Sequence, residues 1–582
     1  MDLDGDRLSV TPTGNGVRGV PAAVQRGARV LVWGLAAGLP LLFLGVFFAW
    51  PVVTLVARGF VTQDAAGTSL DLSGFAEVFS EPRTWRIIGL TLWQGVLGTV
   101  LSVLLGVPGA YVLYRCRFRG RAFWRALVTV PFVLPTVVVG VAFRSLLVEG
   151  GPLGFLRLDG TFGAIVLALV FFNYSVVVRT VGGLWEHLDP RAEEAARALG
   201  APPWRAFRSV TLPSLAPAIA SAASIVFLFC ATAFGVVLVL GGIQYGTVET
   251  EIWVQTTQFL DLRTAAVLSV VQLVVVVVAL SVANRTRTRR ERALNLSAAT
   301  SAARPLRLRA DAAPLAVTAV VVLGLIALPL LNLLVRSFRT PDGWSLANYA
   351  NLGTTGGRNA LTVTVWEAAA NSLRTAALAT VLAVVVGGLV ALVVSRHPRS
   401  RTGRRAIGAL DSIFMLPLGV SAVTVGFGFL ITLDRPLGID VDLRTSGLLV
   451  PIAQAVVAIP LVVRTVLPVL RAIDPRLREA AATLGASPAR VFAAVDGRIA
   501  ARSLGLAVGF AFAVSLGEFG ATSFLARPDT ATLPIVIFRL IGRPGAENYG
   551  MALAASVVLA VLTATVMMMA ERLRGDRSAG EF

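Results

Sequence analysis

The chain has 582 residues, 55% of them hydrophobic and 15% charged, with a mean hydropathy of +0.76. Soluble domains run at about 45–50% apolar with glycine counted and about 25% charged, so a soluble fold could not hide this much apolar surface, whereas a bilayer can. The net charge of +19 comes from 52 basic and 33 acidic residues, and every basic residue is an arginine. These arginines sit in clusters between apolar runs, as in a membrane protein oriented by its basic loops, so no nucleic-acid partner is expected.

Residues 1–29 form a polar N-terminal tail. The apolar run from Val30 to Val56 is too long for a signal-peptide core and lacks a small-residue cleavage site, so it reads as the first membrane helix. A spanning helix needs about 20 mostly apolar residues. Further runs begin near Gly89, Ala126, Phe162, Ala218 and Ala265, then near Pro314, Leu373, Ala406, Gly447, Leu504 and Met551. The predicted fold is an all-α integral membrane protein of about twelve transmembrane helices, arranged as two six-helix repeats. The domains are residues 30–283 and 314–570, joined by a polar, arginine-rich linker over 284–313 and followed by a tail over 571–582. Pro131, Pro135, Pro417 and Gly419 fall inside apolar runs and predict bent helices around a cavity.

Basic loops after the second run (Arg115 to Arg125), in the centre (Arg285 to Arg292) and after the eighth run (Arg396 to Arg405) fall on one side. The intervening loops carry Asp64, Asp71, Glu77 and Glu81, or Glu249, Glu251 and Asp261. Both termini are therefore expected to be cytoplasmic. Cys116, Cys230, His187 and His397 show no metal-ligand spacing, and Cys230 reads as a buried structural thiol. Trp33, Trp50 and Trp93 suit interfacial anchoring.

The two halves are duplicated. Leu188-Asp189-Pro190-Arg191 and Glu194 to Ala201 in the first half correspond to Ile473-Asp474-Pro475-Arg476 and Glu479 to Ala486, each pair 285 residues apart. Six helices return the chain to its starting side, so the repeats are parallel. In each copy an aspartate caps a short helix started by proline. Gly200 or Gly485 then suits a left-handed turn ending that helix. Pro203 or Pro488, with Ser487 as a cap in the second copy, starts the next. The product is a helix–glycine–helix elbow whose alanines leave a low surface for another protein.

Glu-Ala-Ala, three residues, Gly, nine residues, an aliphatic residue, one residue and Leu-Pro resembles the EAA motif of binding-protein-dependent ABC permeases. The first copy is Glu194-Ala195-Ala196, Gly200, Val210 and Leu212-Pro213. The second is Glu479-Ala480-Ala481, Gly485 and Val495, with Gly497-Arg498 in place of Leu-Pro. The resemblance implies the type I importer permease fold, with both halves fused in one chain of the bacterial cell membrane. It also implies that Glu194, Ala195, Ala196, Gly200, Glu479, Ala480, Ala481 and Gly485 couple to cytoplasmic ATPase subunits. A P-loop needs a lysine and the chain has none. Two ATPase subunits carrying ATP and Mg, and an extracytoplasmic substrate-binding protein, are therefore expected as partners, with no cofactor and no metal on this chain and no catalytic residues of its own.

For substrate, Phe171-Phe172-Asn173, Leu240-Gly241-Gly242 with Thr250-Glu251-Ile252, and Leu516-Gly517-Glu518-Phe519-Gly520 with Thr532-Leu533-Pro534 are similar to thiamine-type permeases. Ferric-iron permeases and sulfate or molybdate permeases are the alternatives. Glu518 and Asn173 are the candidate pathway residues, since an ionisable or amide group at membrane depth is costly. Glu518 could instead end a helix near the outer surface or pair with Arg527, and Asn173 could bond between helices. Gln272 and Gln454 are intramembrane amides without an assigned role. A secondary transporter would need coupling acids within the membrane, and a membrane enzyme would need a catalytic cluster there; the chain offers few of the first and neither histidine is placed for the second.

Overall fold

A computed structural model describes residues 22–64, 67–242, 244–290, 304–396, 400–436 and 439–573. The expected C-terminal tail from 574, most of the N-terminal tail, the centre of the linker over 291–303, and His397 lie outside the described residues, as does the side chain of Trp33.

Among the described residues, ten helices are long and apolar enough to cross a membrane. In the first half they are α1 (Gly34–Phe60), α2 (Pro82–Arg115), α5 (Phe162–His187), α7 (Pro203–Ala231) and α9 (Leu262–Ser281). In the second they are α10 (Ala312–Ser337), α11 (Val365–Val394), α14 (Leu449–Ala472), α16 (Pro488–Gly517) and α17 (Ala546–Ala570). The third expected run of each half is broken. In the first half α3 (Arg121–Val133) and α4 (Thr136–Leu147) meet at 105° around Leu134-Pro135, and together pass as an eleventh span. In the second, α12 (Arg401–Met415) and α13 (Ala422–Thr432) are separated by a 3-10 turn over Leu416–Gly419. There α12 carries Arg401, Arg404, Arg405 and Asp411, and α13 at 11 residues reaches only about 16 Å. Pro135, Pro417 and Gly419, read as bends, therefore fall at full breaks, while Pro131 stays inside α3; the two broken runs account for ten or eleven spans among the described residues where about twelve were expected.

Each half is completed by the first span of the other. Leu44 and Phe48 of α1 are buried with Ala383, Val425 and Phe429 of the second half. Val321, Val322 and Ile326 of α10 are buried with Val128, Phe143 and Tyr174 of the first. Asn332 Nδ2 donates to Ser145 Oγ at 2.9 Å and Arg336 donates to the Ser145 carbonyl at 2.6 Å, fixing α10 to α4. A central cluster joins the halves through Val137, Phe234 and Ile252 on one side and Leu516, Phe519 and Ile537 on the other.

Lipid supplies no hydrophobic drive between helices, so small residues set close approaches. A Cβ on Gly106 of α2 would lie 2.6 Å from Val177 Cγ1, and one on Gly387 of α11 would lie 3.0 Å from Val462 Cβ. Val177 and Val462 are 285 residues apart, so the same close approach is built twice. Leu35, Leu42, Leu104 and Val381, by contrast, stay exposed on the outside of the bundle, as lipid-facing positions must.

Backbone freed at breaks within the bundle has to be satisfied internally. Gln94 Nε2 donates to the Cys230 carbonyl at 2.7 Å and Gln272 Nε2 to the Ala231 carbonyl at 3.2 Å, capping the end of α7. Gln454 Nε2 donates to Thr522 Oγ1 at 3.2 Å just beyond the end of α16. The amides that had no assigned role thus serve the two equivalent breaks. Cys116 sits in a two-residue parallel strand pair with Arg304-Pro305, and burial pushes its thiol up to about 12, so it stays a thiol.

Candidate functional site

The elbows follow α5 and α14. Asp189 Oδ1 accepts from the Arg191 N–H at 3.0 Å and Asp474 Oδ1 from the Arg476 N–H at 2.9 Å, starting α6 (Arg191–Ala198) and α15 (Pro475–Thr483). Gly200 (φ +87°) and Gly485 (φ +81°) end them in the left-handed region. The Gly200 N–H donates to the Arg197 carbonyl at 3.0 Å and Ala201 to Ala196 at 3.1 Å; Gly485 donates to Ala482 at 3.0 Å and Ala486 to Ala481 at 3.1 Å. Both are Schellman motifs, bond for bond.

Burial repeats with the backbone. Glu194, Ala195 and Gly200 are exposed while Ala196 is half-buried, and so are Glu479, Ala480, Gly485 and Ala481. Between them Leu199 is 89% and Leu484 88% exposed. A single exposed leucine needs no explanation. The same leucine projects at the same C-cap in both repeats, so each elbow carries an apolar knob. All eight residues expected for coupling therefore gather in two matched projections.

Each elbow is tied to the helix that follows it. Thr211 Oγ1 donates to Glu193 Oε2 at 2.9 Å. Arg478 donates to Asp496 Oδ1 at 2.9 Å through Nε and 2.6 Å through Nη2, and Arg396 stands 3.5 Å from the same oxygen. These ties escaped sequence reading, although Glu193 and Arg478, like Thr211 and Asp496, are 285 residues apart and the offset alone could have found them.

Between the halves lies a cavity of about 820 Å³. It is lined by the broken third runs of both halves, by α5 and α14, and by the ends of α7 and α16. The repeat-related Phe234 and Phe519 stack across the centre with ring centroids 5.4 Å apart and planes 21° apart. From there the lining extends toward the elbow face to Arg179 and Arg464.

Asn173 and Glu518 both line this cavity. Asn173 Nδ2 donates to the Leu169 carbonyl at 2.8 Å and to Cys230 Sγ at 3.3 Å, while its Oδ1 is buried without a hydrogen-bond partner. The amide thus bridges helices and keeps an acceptor in hand. Glu518 directly follows α16, and its side chain serves the start of the short helix Thr522–Leu525. Its carboxylate accepts from the Ala521 N–H at 2.7 Å, the Thr522 N–H at 2.9 Å and Thr522 Oγ1 at 2.5 Å. It ends a helix, as one reading held, but inside the bundle. A further carboxylate missed in sequence crosses the halves: Ser421 Oγ donates to buried Glu249 Oε2 at 2.8 Å while capping α13.

Residues 73–292 match the family described as binding-protein-dependent transport system inner membrane component. The chain is similar to the thiamine transport system permease protein ThiP of Escherichia coli (strain K12), 27% identical over 512 residues that cover 86% of this chain and 90% of that protein. It is similar to ThiP of Brucella abortus (strain 2308), 26% identical over 558 residues, 93% of this chain and 96% of that one. It is also similar to the sulfate transport system permease protein CysT of Escherichia coli (strain K12), 31% identical over 246 residues, 41% of this chain and 86% of that one.

Proposed function

We propose that this chain, which belongs to the family of binding-protein-dependent transport system inner membrane components, forms the whole translocation pathway of an ATP-driven importer, with thiamine as its cargo. The single observation that carries the pathway is geometric: two matched elbows, and a cavity between the halves lined by the helices that lead into and out of them. An ABC importer permease takes its energy from partner subunits. With no lysine in the chain there is no P-loop, so ATP and Mg belong to two cytoplasmic ATPase subunits, one seated on each elbow. Leu199 and Leu484 are the apolar knobs for that seat, and Glu194, Ala195, Ala196, Glu479, Ala480 and Ala481 its floor. The arginine clusters put the elbows and both termini in the cytoplasm. A loaded binding protein docks on the opposite face, ATP closes the ATPase pair, and the elbows carry that motion into α5, α7, α14 and α16.

Thiamine is supported by likeness to ThiP proteins running through both halves. A sulfate-type oxyanion is the second reading, favoured by the likeness to CysT and by two arginines in the cavity wall. The test is ATPase activity of the reconstituted complex with binding protein added, titrating thiamine, then sulfate, then ferric iron. Stimulation by the thiamine-loaded binding protein alone is expected. Stimulation by sulfate or iron instead keeps the architecture and overturns the cargo, and a chain that associates with no ATPase overturns the architecture. Replacing Gly200 and Gly485 together by tryptophan should leave ATP hydrolysis unstimulated by cargo.

A further inference from the structure

We propose that Tyr111, Arg304 and Asp311 are positioning residues for the first elbow: they clasp the end of the linker to the helix ends on either side of that elbow, so that it moves as one piece with the start of α10. The proposal rests on the elbows being the seats of the ATPase subunits.

The clasp starts in the linker. Asp311, 2% exposed, directly precedes α10. Its Oδ1 accepts from Tyr111 Oη at 2.7 Å and from Arg304 Nη2, and its Oδ2 accepts from the Arg307 N–H at 2.9 Å. A carboxylate this buried needs such donors. The Arg304 guanidinium also lies over the Tyr111 ring, 5.4 Å from its centroid. One carboxylate thus holds a linker arginine, linker backbone and a tyrosine four residues before the end of α2. The backbone adds a second grip. Cys116 and Arg117 pair in parallel with Arg304 and Pro305, and the Leu306 N–H donates to the Arg117 carbonyl at 3.2 Å.

Rings carry the grip to the elbow. Tyr111 packs on Trp185 with centroids 5.4 Å apart, and Trp185 stacks on Phe207 with centroids 6.0 Å and planes 26° apart. Trp185 is 3% exposed and stands two residues before the end of α5, where the elbow begins. Phe207 lies four residues into α7, where the elbow ends. The row Arg304–Tyr111–Trp185–Phe207 therefore spans the entry and the exit. From the end of α2, buried Arg115 also brings Nη1 to 3.5 Å from the Leu188 carbonyl, just ahead of the aspartate cap. Close-packed rings leave little slack, so a displacement at one end is felt at the other.

The second elbow is fastened differently. The residue 285 positions after Trp185 is Leu470, which offers no ring. Phe492, the counterpart of Phe207, is 45% exposed, whereas Phe207 is half-buried. The first elbow alone is thus joined by a row of rings to the segment that leads into the other half.

The test places a disulfide in the clasp. Arg304 and Cys116 are register partners. Neighbouring strands lie about 4.8 Å apart, within the roughly 4.4–6.8 Å between Cα atoms that a disulfide spans. R304C removes the guanidinium when reduced and refastens the linker to the end of α2 when oxidised with diamide. The full chain is treated, then assembled in nanodiscs with its ATPase subunits and thiamine-loaded binding protein, with the wild type treated in parallel. Loss of a part-exposed ion pair should lower the cargo-stimulated ATPase rate of reduced R304C by about threefold or more, with the half-saturating binding-protein concentration unchanged within about twofold. Oxidation should restore the rate. Amide hydrogen exchange of the chain without ATPase is the second measurement. Residues 185–212 should exchange about threefold or more faster in reduced R304C and return on oxidation, while residues 470–497 stay within about twofold of wild type. D311N, which keeps the size of the side chain and drops its charge, should act as reduced R304C does. A reduced variant that matches the wild type in either measurement, an equal change in both elbows, or failure of the disulfide to form overturns the positioning role. If the wild-type chain associates with no ATPase, the importer reading fails instead, and the exchange comparison still decides whether the clasp holds the first elbow.

Discussion

In the first elbow a neutral hydroxyl, Thr211, donates one bond to Glu193; in the second, at the equivalent positions, Arg478 donates two bonds to Asp496 and Arg396 stands by the same oxygen. The acid has moved from the elbow to the helix that follows it, and a cation has taken its place. Around this exchange the backbone devices of the elbow are kept. Both copies keep the aspartate cap, the Schellman bonds, the left-handed glycine and the exposed leucine. Both exits run through a π turn, Phe207–Thr211 or Phe492–Gly497, into a 20-residue helix. Gly497-Arg498 in place of Leu212-Pro213 therefore leaves the exit intact. The lesson is that the shape of the elbow is held by backbone geometry, and the chemistry of its tie is free to vary provided the two ends match.

The largest effect is expected where the tie is most buried. Asp496 is 2% exposed and the Arg478 and Arg396 side chains are 20% and 28% exposed. Asp496→Ala leaves two arginines side by side without their anion. Breaking a fully buried pair costs about 3–5 kcal/mol; partial exposure here lowers the expectation to about 2–3 kcal/mol, read by thermal unfolding in nanodiscs. Thr211→Val in the first elbow removes one partly exposed bond and should cost about 1 kcal/mol. If the two losses are equal, the contrast between the ties is wrong.

A middle-sized effect sharpens the same contrast. Thr211→Asp places a second carboxylate against Glu193 and should destabilise by about 1–2 kcal/mol. Adding Glu193→Arg rebuilds the tie of the second elbow in the first. Arg115 ends α2 and interacts electrostatically with Glu193, as Arg396 does with Asp496 at the end of α11, so the new aspartate would again meet two arginines. A double-mutant cycle should give a favourable coupling of about 1–2 kcal/mol. No coupling would mean that the ties are incidental to the elbow.

The sequence made the elbows legible because their determinants are local. Asp189-Pro190 and Gly200 act on backbone within a few residues, and the copy 285 positions later repeats them. The apolar runs were legible for the same reason, through length and composition. The breaks between α3 and α4 and between α12 and α13 were half legible: Pro135 and Gly419 mark a weak point, but whether a helix bends there or turns through 105° depends on what it packs against. The exchange of first spans and the Glu249–Ser421 bond were not legible at all, since each joins residues far apart in sequence through tertiary packing. Glu518 shows the same limit. Its position in a membrane run announced a role, yet only the fold reveals that its carboxylate holds the backbone that starts the next short helix.

The smallest effect tests what the elbows share. Gly200 and Gly485 sit at φ +87° and +81°, and a Cβ added at either would find no atom within 4 Å. Alanine there meets no clash, so its only cost is that of holding an L-residue in the left-handed region, about 1 kcal/mol. Because the two backbones match, Gly200→Ala and Gly485→Ala should cost the same, within about 0.3–0.5 kcal/mol, and should add in the double variant, since the sites share no partner. The comparison is made by thermal unfolding of the two single variants and the double in one lipid. A cost in one elbow but not the other would mean that the ties, which differ, reach into the turn, and that the elbow's shape is not held by its backbone alone.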